Sequence, residues 1–262
     1  MVEAVAIENA LAEDHPGAPS YEGNLAKSLG NLANFYSRTG RPEQAERTHI
    51  RALKLFESLG ARFPDVIDYT HSVALTRLNV ALDHEGQGDP EGALEWLDRA
   101  DQALAGLRSR APSFARGLET EGLSAGFRAQ ILDRLGRTDE ALASLDRADA
   151  LMPKGSERES LRSRRALILA HRGEFDLAIG LTPGSPTPIS QVAYDWARAW
   201  SLAAKAAADP AEADRRGRQA VAFLARARDL GFFKLPATRA MLAQEPDLEP
   251  IRSRDDFPSV DP

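Results

Sequence analysis

Three stretches decide the fold: TGRPEQAERTHIRALKL at Thr39–Leu55, QGDPEGALEWLDRADQAL at Gln87–Leu104 and LGRTDEALASLDRADAL at Leu135–Leu151. Gly40, Gly88 and Gly136 follow one another at a spacing of 48 residues. The same spacing links Ala45, Ala93 and Ala141, then Ala52, Ala100 and Ala148, and upstream Ala33, Ala81 and Ala129. Pro16, Pro64 and Pro112 fall on it as well. A fixed period of this size marks a repeat array, in which each unit buries its apolar face only against its neighbours.

Working outward from the first turn, Leu25, Leu29, Leu32, Ala33 and Tyr36 recur at three- and four-residue steps, the period of a helix face. Gly40 ends that helix, because glycine takes the left-handed conformation just past a helix C-terminus. Pro42 opens the next, where its missing N–H costs nothing. Ala45, Ile50, Ala52, Leu53, Phe56 and Leu59 form the apolar face of this second helix. Its alanines allow two antiparallel helices to approach closely, and bulkier residues would overpack the contact.

The plan recurs downstream. Tyr69–Glu85 and Glu91–Arg108 read as a second pair, Leu118–Leu135 and Thr138–Leu151 as a third. A fourth follows at a shorter step, since Gly173 and Ala178 lie 37 residues after Gly136 and Ala141. Its second helix stops early at LTPGSPTPIS, a loop rich in proline. QVAYDWARAWSLAAKAAA and AEADRRGRQAVAFLARARDLG then make a divergent fifth pair. The expected organisation is a partial repeat or capping helix over 1–15, repeats over 16–182, a loop over 183–189, the fifth pair over 190–230 and a capping tail over 231–262. In that tail Leu248, Ile251 and Phe257 are expected to cover the last helix.

At the start, Glu3–Ile7 aligns with Arg51–Leu55 one period later, as if Met1 lay inside the second helix of a pair. Two readings stand. In one, the first helix of that pair is missing, Val5, Ile7 and Leu11 pack on Leu25, Leu29 and Leu32, and self-association through the bare N-terminal edge is expected. In the other, residues 1–13 are a cap whose Glu3, Glu8 and Asn9 cover the outer face.

Composition excludes several functions. The chain has 262 residues, 43% hydrophobic and 27% charged, which argues against global disorder. A net charge of −6 gives no electrostatic reason for nucleic-acid binding. The absence of cysteine rules out disulfides, thiolate metal sites and a thiol nucleophile. No run reaches the ~18 apolar residues of a membrane span, and the start lacks the basic residues of a signal peptide. No membrane association is expected, and the cytoplasm is the default location.

Apparent catalytic motifs fail on context. Gly122-Leu123-Ser124-Ala125-Gly126 spells GxSxG, but a nucleophile elbow needs a strand before a sharp turn, and this serine falls within a helical pattern. Gly86–Gly92 nearly spells a phosphate-binding glycine loop, yet its proline keeps the register of Pro42, so it reads as an inter-helix turn. The five histidines show no metal-binding spacing, and Asp83-His84-Glu85 reads as a solvated helix end. Trp196 and Trp200, four apart, read as core. No cofactor, metal or catalytic residue is expected.

The pattern resembles the tetratricopeptide repeat (TPR). Ala33, Gly40, Ala45 and Ala52 match that family's small residue on the first helix, turn glycine and two alanines of the second, as do their counterparts one and two periods on. Tyr36 matches its first-helix aromatic. The family period is shorter; here the helices are longer. The resemblance implies an all-α, TPR-like right-handed superhelix of antiparallel helix pairs, and a non-catalytic scaffold that binds a protein or peptide along the groove lined by first helices. Carried onto this chain, the implied groove residues are Lys27, Asn31, Asn34, Arg38, Asn79, Gln130, Arg134 and Arg164. Asn31 and Asn79 share one repeat register, and an asparagine amide can both donate to and accept from a peptide backbone. The long repeats and the phrase EPDLEPIRSRDDF at Glu245–Phe257 are also similar to the C-terminal arrays of planctomycete-type serine/threonine protein kinases. That likeness implies a second role, the regulatory or targeting arm of a kinase whose catalytic domain is absent from this sequence.

Overall fold

The computed structural model describes residues 1–151, 156–234 and 236–259, and among these every regular element is a helix. The chain divides into two compact units, Met1–Leu135 and Gly136–Pro262. The boundary falls at the Leu135–Gly136 turn, inside the expected third pair. No helix among the described residues is long and apolar enough to cross a membrane.

The first unit holds α1 (Val2–Asp14), α2 (Pro19–Arg38), α3 (Pro42–Arg62), α4 (Ile67–Gly86), α5 (Pro90–Arg110) and α6 (Ala115–Arg134). Proline in the first turn opens α2, α3 and α5, and the Asp89 carboxylate accepts from the Gly92 amide to cap α5. Gly40 and Gly88 sit past the ends of α2 and α4 at φ of 70° and 81°. That is left-handed backbone, which costs an L-residue roughly 1–2 kcal/mol. The helices α2/α3 and α4/α5 form hairpins, α3 packs on α4 and α5 on α6. The first helices α2, α4 and α6 therefore lie side by side in that order. Ala33, Ala45, Ala52, Ala81, Ala93, Ala100 and Ala129 are all fully buried, as the close approach of paired helices requires.

Two expectations about this unit are corrected. Of α1, Val5 packs with Leu25, Leu29 and Leu32, and Ala12 borders the same cluster; Ile7 is 56% and Leu11 37% exposed. Ile7 lies two residues beyond Val5, about 200° around the helix, so the two cannot share a contact. Nor do the polar residues of α1 all cover the outside, for the Arg51 guanidinium donates to Asn9 Oδ1 and Glu8 is half-buried. Asp83 is likewise no solvated helix end. It is buried, its Oδ2 lies 2.6 Å from His49 Nδ1, and its Oδ1 accepts from Ser37 Oγ at 2.6 Å. One period later the two positions are Leu97 and Ile131, both fully buried. A polar pair thus occupies an apolar register, and His49 Nε2 is buried without a partner.

The second unit holds α7 (Thr138–Leu151), α8 (Ser156–His171), α9 (Phe175–Gly180), α10 (Ser190–Ala206), α11 (Pro210–Asp229) and α12 (Pro236–Gln244), with short 3-10 turns at Phe232–Lys234 and Pro246–Ile251. Its centre is α10, buried on almost every side between α8, α9, α11 and the tail. Trp196 and Trp200 belong to this core. Leu248 and Ile251 are buried and Phe257 packs beside them, but the tail lies mainly on α10 and only secondarily on the last long helix.

The His49–Asp83 pair yields a stability prediction. Restoring the apolar register with His49→Leu and Asp83→Ile together should leave stability unchanged or raise it by about 1–4 kcal/mol, since well-packed apolar residues often outperform a buried polar pair. Asp83→Ile alone strands the imidazole and should cost about 1–3 kcal/mol. Urea unfolding of the two variants checks the opposite signs.

Candidate interaction groove

Four positions recur on the three first helices of the first unit, at steps of four, three and four residues. On α2 they are Lys27, Asn31, Asn34 and Arg38; on α4 Leu75, Asn79, Leu82 and Gly86; on α6 Leu123, Phe127, Gln130 and Arg134. Steps of four, three and four keep residues within one narrow stripe of a helix. α4 lies beside both α2 and α6, and α2 and α4 each pack on their second helix, α3 and α5, so the three stripes lie on neighbouring helices.

Seven of the eight implied groove residues lie in this face. Lys27, Asn31 and Arg38 are exposed, while Asn34, Asn79 and Gln130 are half-buried. Asn31, Asn34 and Arg38 line a cleft with Ser28, Phe35, Ala4 and Met1, where α1 meets α2. Arg134 is exposed and forms an ion pair with Glu85. Arg164 belongs to the second unit, where its charge acts on the buried carboxyl of Asp195.

The face contains side chains that sequence reasoning passed over. Leu75, Leu82 and Leu123 are 39%, 44% and 51% exposed, and Phe35 borders the same cleft. Their signal was present in the repeat register: Leu75 and Leu123 stand one and two periods after Lys27. A leucine on a helix reads as core until its helix neighbours are known. The face carries amides, exposed apolar side chains and, in Lys27 and Arg38, two cations with no ion partner among the described residues.

The GxSxG serine is an ordinary helix residue. Ser124 lies within α6, and its hydroxyl donates to Asp101 Oδ1 at 2.7 Å. Arg128 pairs with the same aspartate and with Asp98. Among the described residues no group of His, Cys, Asp and Glu could hold a metal ion.

Comparison with known proteins agrees with this architecture. A tetratricopeptide-repeat family model matches residues 28–57, the second half of α2 and most of α3. Among solved structures, the chain is similar to BtubC (BKLC) from P. vanneervenii, with a TM-score of 0.61 and 16% identity, covering 87% of each chain. It is also similar to a putative kinesin light chain with nearly identical TPR-like repeats from Podosopora anserina, with a TM-score of 0.51 and 19% identity, covering 80% of this chain and 98% of that one. No curated protein sequence matches. The family model thus matches one stretch of the chain, and the solved structures share its all-helical repeat fold.

A cluster of ionisable groups in the second unit pins the tail. Arg198 on α10 bonds Asp247 through Nε at 3.0 Å and through its terminal nitrogen at 2.8 Å, and approaches Glu245 at 3.3 Å. His171 Nε2 stands 2.9 Å from the same Asp247 oxygen, and the Tyr194 hydroxyl donates to Glu245 at 3.4 Å. Burial alone would raise the Asp247 carboxyl, but the hydrogen bond from His171 and the charge of Arg198 hold it below the ordinary carboxylate range. Asp195 goes the other way: it is fully enclosed, and burial raises it despite Arg164, Gln191 and Ser163. A carboxyl depressed in the folded state stabilises above its unfolded pKa, and the contribution disappears as pH falls through the folded value. Acidification below the usual aspartate range should therefore loosen the Pro246–Ile251 turn from α10. Hydrogen exchange at the Leu248 and Ile251 amides reads this, and Asp247→Asn should remove the pH dependence while loosening the turn at neutral pH.

Proposed function

We propose that this chain is a non-catalytic protein-interaction module, and that the face made by Lys27–Arg38, Leu75–Leu82 and Leu123–Arg134 receives a protein or peptide segment. The observation that carries the reading is the repeated four-position stripe on three adjacent helices, whose Lys27, Asn31, Arg38, Leu75, Leu82 and Leu123 are exposed. Asn31 and Asn79 bond the backbone of the bound segment, and the exposed leucines contribute apolar contact. The groove assignment of Lys27, Asn31, Asn34, Arg38, Asn79, Gln130 and Arg134 belongs to this proposal; Arg164, in the other unit, does not.

The test is selection of a displayed random-peptide library on the full chain. Enriched peptides should bind about tenfold or more weakly to Asn31→Ala/Asn79→Ala, the loss expected from two peptide-facing amides at about 1 kcal/mol each. Undiminished binding to that variant would overturn the assignment.

A second reading, the regulatory arm of a serine/threonine kinase, rests on the Glu245–Phe257 phrase. An in-frame kinase domain in the coding sequence ahead of Met1 would support it, and an unrelated reading frame there would sink it.

A further inference from the structure

The exposed apolar side chains of the first unit fall mainly into two sets. One is the groove face just described. The other lies on the outer side of α1, where Glu3, Ile7, Ala10 and Asp14 recur at steps of four, three and four residues and all four are exposed. Ala4 and Leu11 flank that stripe and are exposed too. This is the spacing of Lys27, Asn31, Asn34 and Arg38 on α2. In each stripe the outer two members are eleven residues apart, about 16.5 Å along a helix. On α1 those members are both acidic; on α2 both are basic. None of the four has an ion-pair partner among the described residues, and α1 carries four acidic residues with no lysine or arginine.

From this match we propose that the groove of one copy receives the outer face of α1 from a second copy. The inference rests on the groove reading above and names an occupant for it. Glu3 and Asp14 meet Lys27 and Arg38, taken in either order, while Ile7 and Leu11 settle against Leu75 and Leu82 on the adjoining α4. Pairing α1 with α1 in a two-fold dimer would oppose like charges, which disfavours that alternative. The contact is therefore heterologous: edge and groove are different surfaces, so each copy keeps one of each and growth runs head to tail. Glu119, four residues before Leu123 on α6, is exposed and has no ion pair among the described residues. It places the acidic helix over α2 and α4 rather than over α6. A single helix in a shallow groove buries less than a standard interface, so association is expected at high protein concentration and weakens with salt. Self-docking would also compete with an incoming peptide, making the groove's availability depend on concentration.

Sedimentation of the full chain over a wide concentration range at low salt tests the proposal. Wild type should form concentration-dependent oligomers. An edge variant (Ile7→Asp with Leu11→Asp) and a groove variant (Leu75→Asp with Leu82→Asp) should each be monomeric, and should form a one-to-one complex when mixed. All four changes are at exposed positions, and circular dichroism checks that the helices persist. As an independent arm, Lys27→Glu with Arg38→Glu should abolish association, and adding Glu3→Lys with Asp14→Lys to that chain should restore it. Monomeric wild type throughout overturns the proposal, as does failure of the edge and groove variants to complement or of the charge swap to rescue. If self-association is absent while Asn31→Ala/Asn79→Ala still weakens library-selected peptides, the α1 assignment falls and the groove reading stands. Loss of neither would remove both.

Discussion

Everything in the first unit depends on how closely two antiparallel helices can approach. Both helices of each pair bury alanines: Ala33, Ala45 and Ala52 in the first, Ala81, Ala93 and Ala100 in the second, each with no exposed surface. A methyl group is the largest side chain that leaves the backbones in such contact, and adding methylenes would force them apart at a cost of about 1–3 kcal/mol. The turn glycines serve the same end. By taking left-handed backbone directly after the helix, Gly40 and Gly88 reverse the chain within three residues, so the second helix starts alongside the first. With the pair geometry set, a stripe of side chains turned away from the partner helix keeps part of its surface open, as Lys27, Asn31, Leu75 and Leu82 do.

The same four positions come round on α2, α4 and α6, but their contents differ: cation and amides on α2, leucines around one amide on α4, a mixture on α6. Packing does not constrain these positions, so their chemistry is free to answer to a ligand. The exposed stripe of α1 has the complementary character, acid at both ends and apolar between. Two faces of matched spacing and opposite charge on one molecule favour contact between copies, and steer it toward one pairing over others.

Polar groups inside the units follow a different logic. His49 and Asp83 interrupt the apolar register between α3 and α4, where the next repeat has leucine and isoleucine. In the second unit Arg198 gathers Asp247 and Glu245 onto α10 and fixes the tail beside buried Leu248 and Ile251. Both arrangements join elements distant in the chain, and each places ionisable groups where burial or a charged neighbour matters. The tail is held by charge at one end and by apolar burial at the other, so acid weakens only part of its attachment.

The repeat period was legible from residues alone, because small residues and glycines are required at fixed places for local steric reasons. Those requirements determined the helix pairs, the turn positions and the buried alanines, and they identified Asn31 and Asn79 as equivalent. Tertiary structure decided which leucines are core and which are surface. Leu78 and Leu82 look alike in sequence, yet α4's neighbours cover the first and leave the second open. It likewise decided that Ile7 faces solvent while Val5 is buried, that Asp83 has a histidine beside it, and that the tail lies on α10. Each of these depends on which helices surround a residue, and helical periodicity defines a stripe without saying what will stand against it.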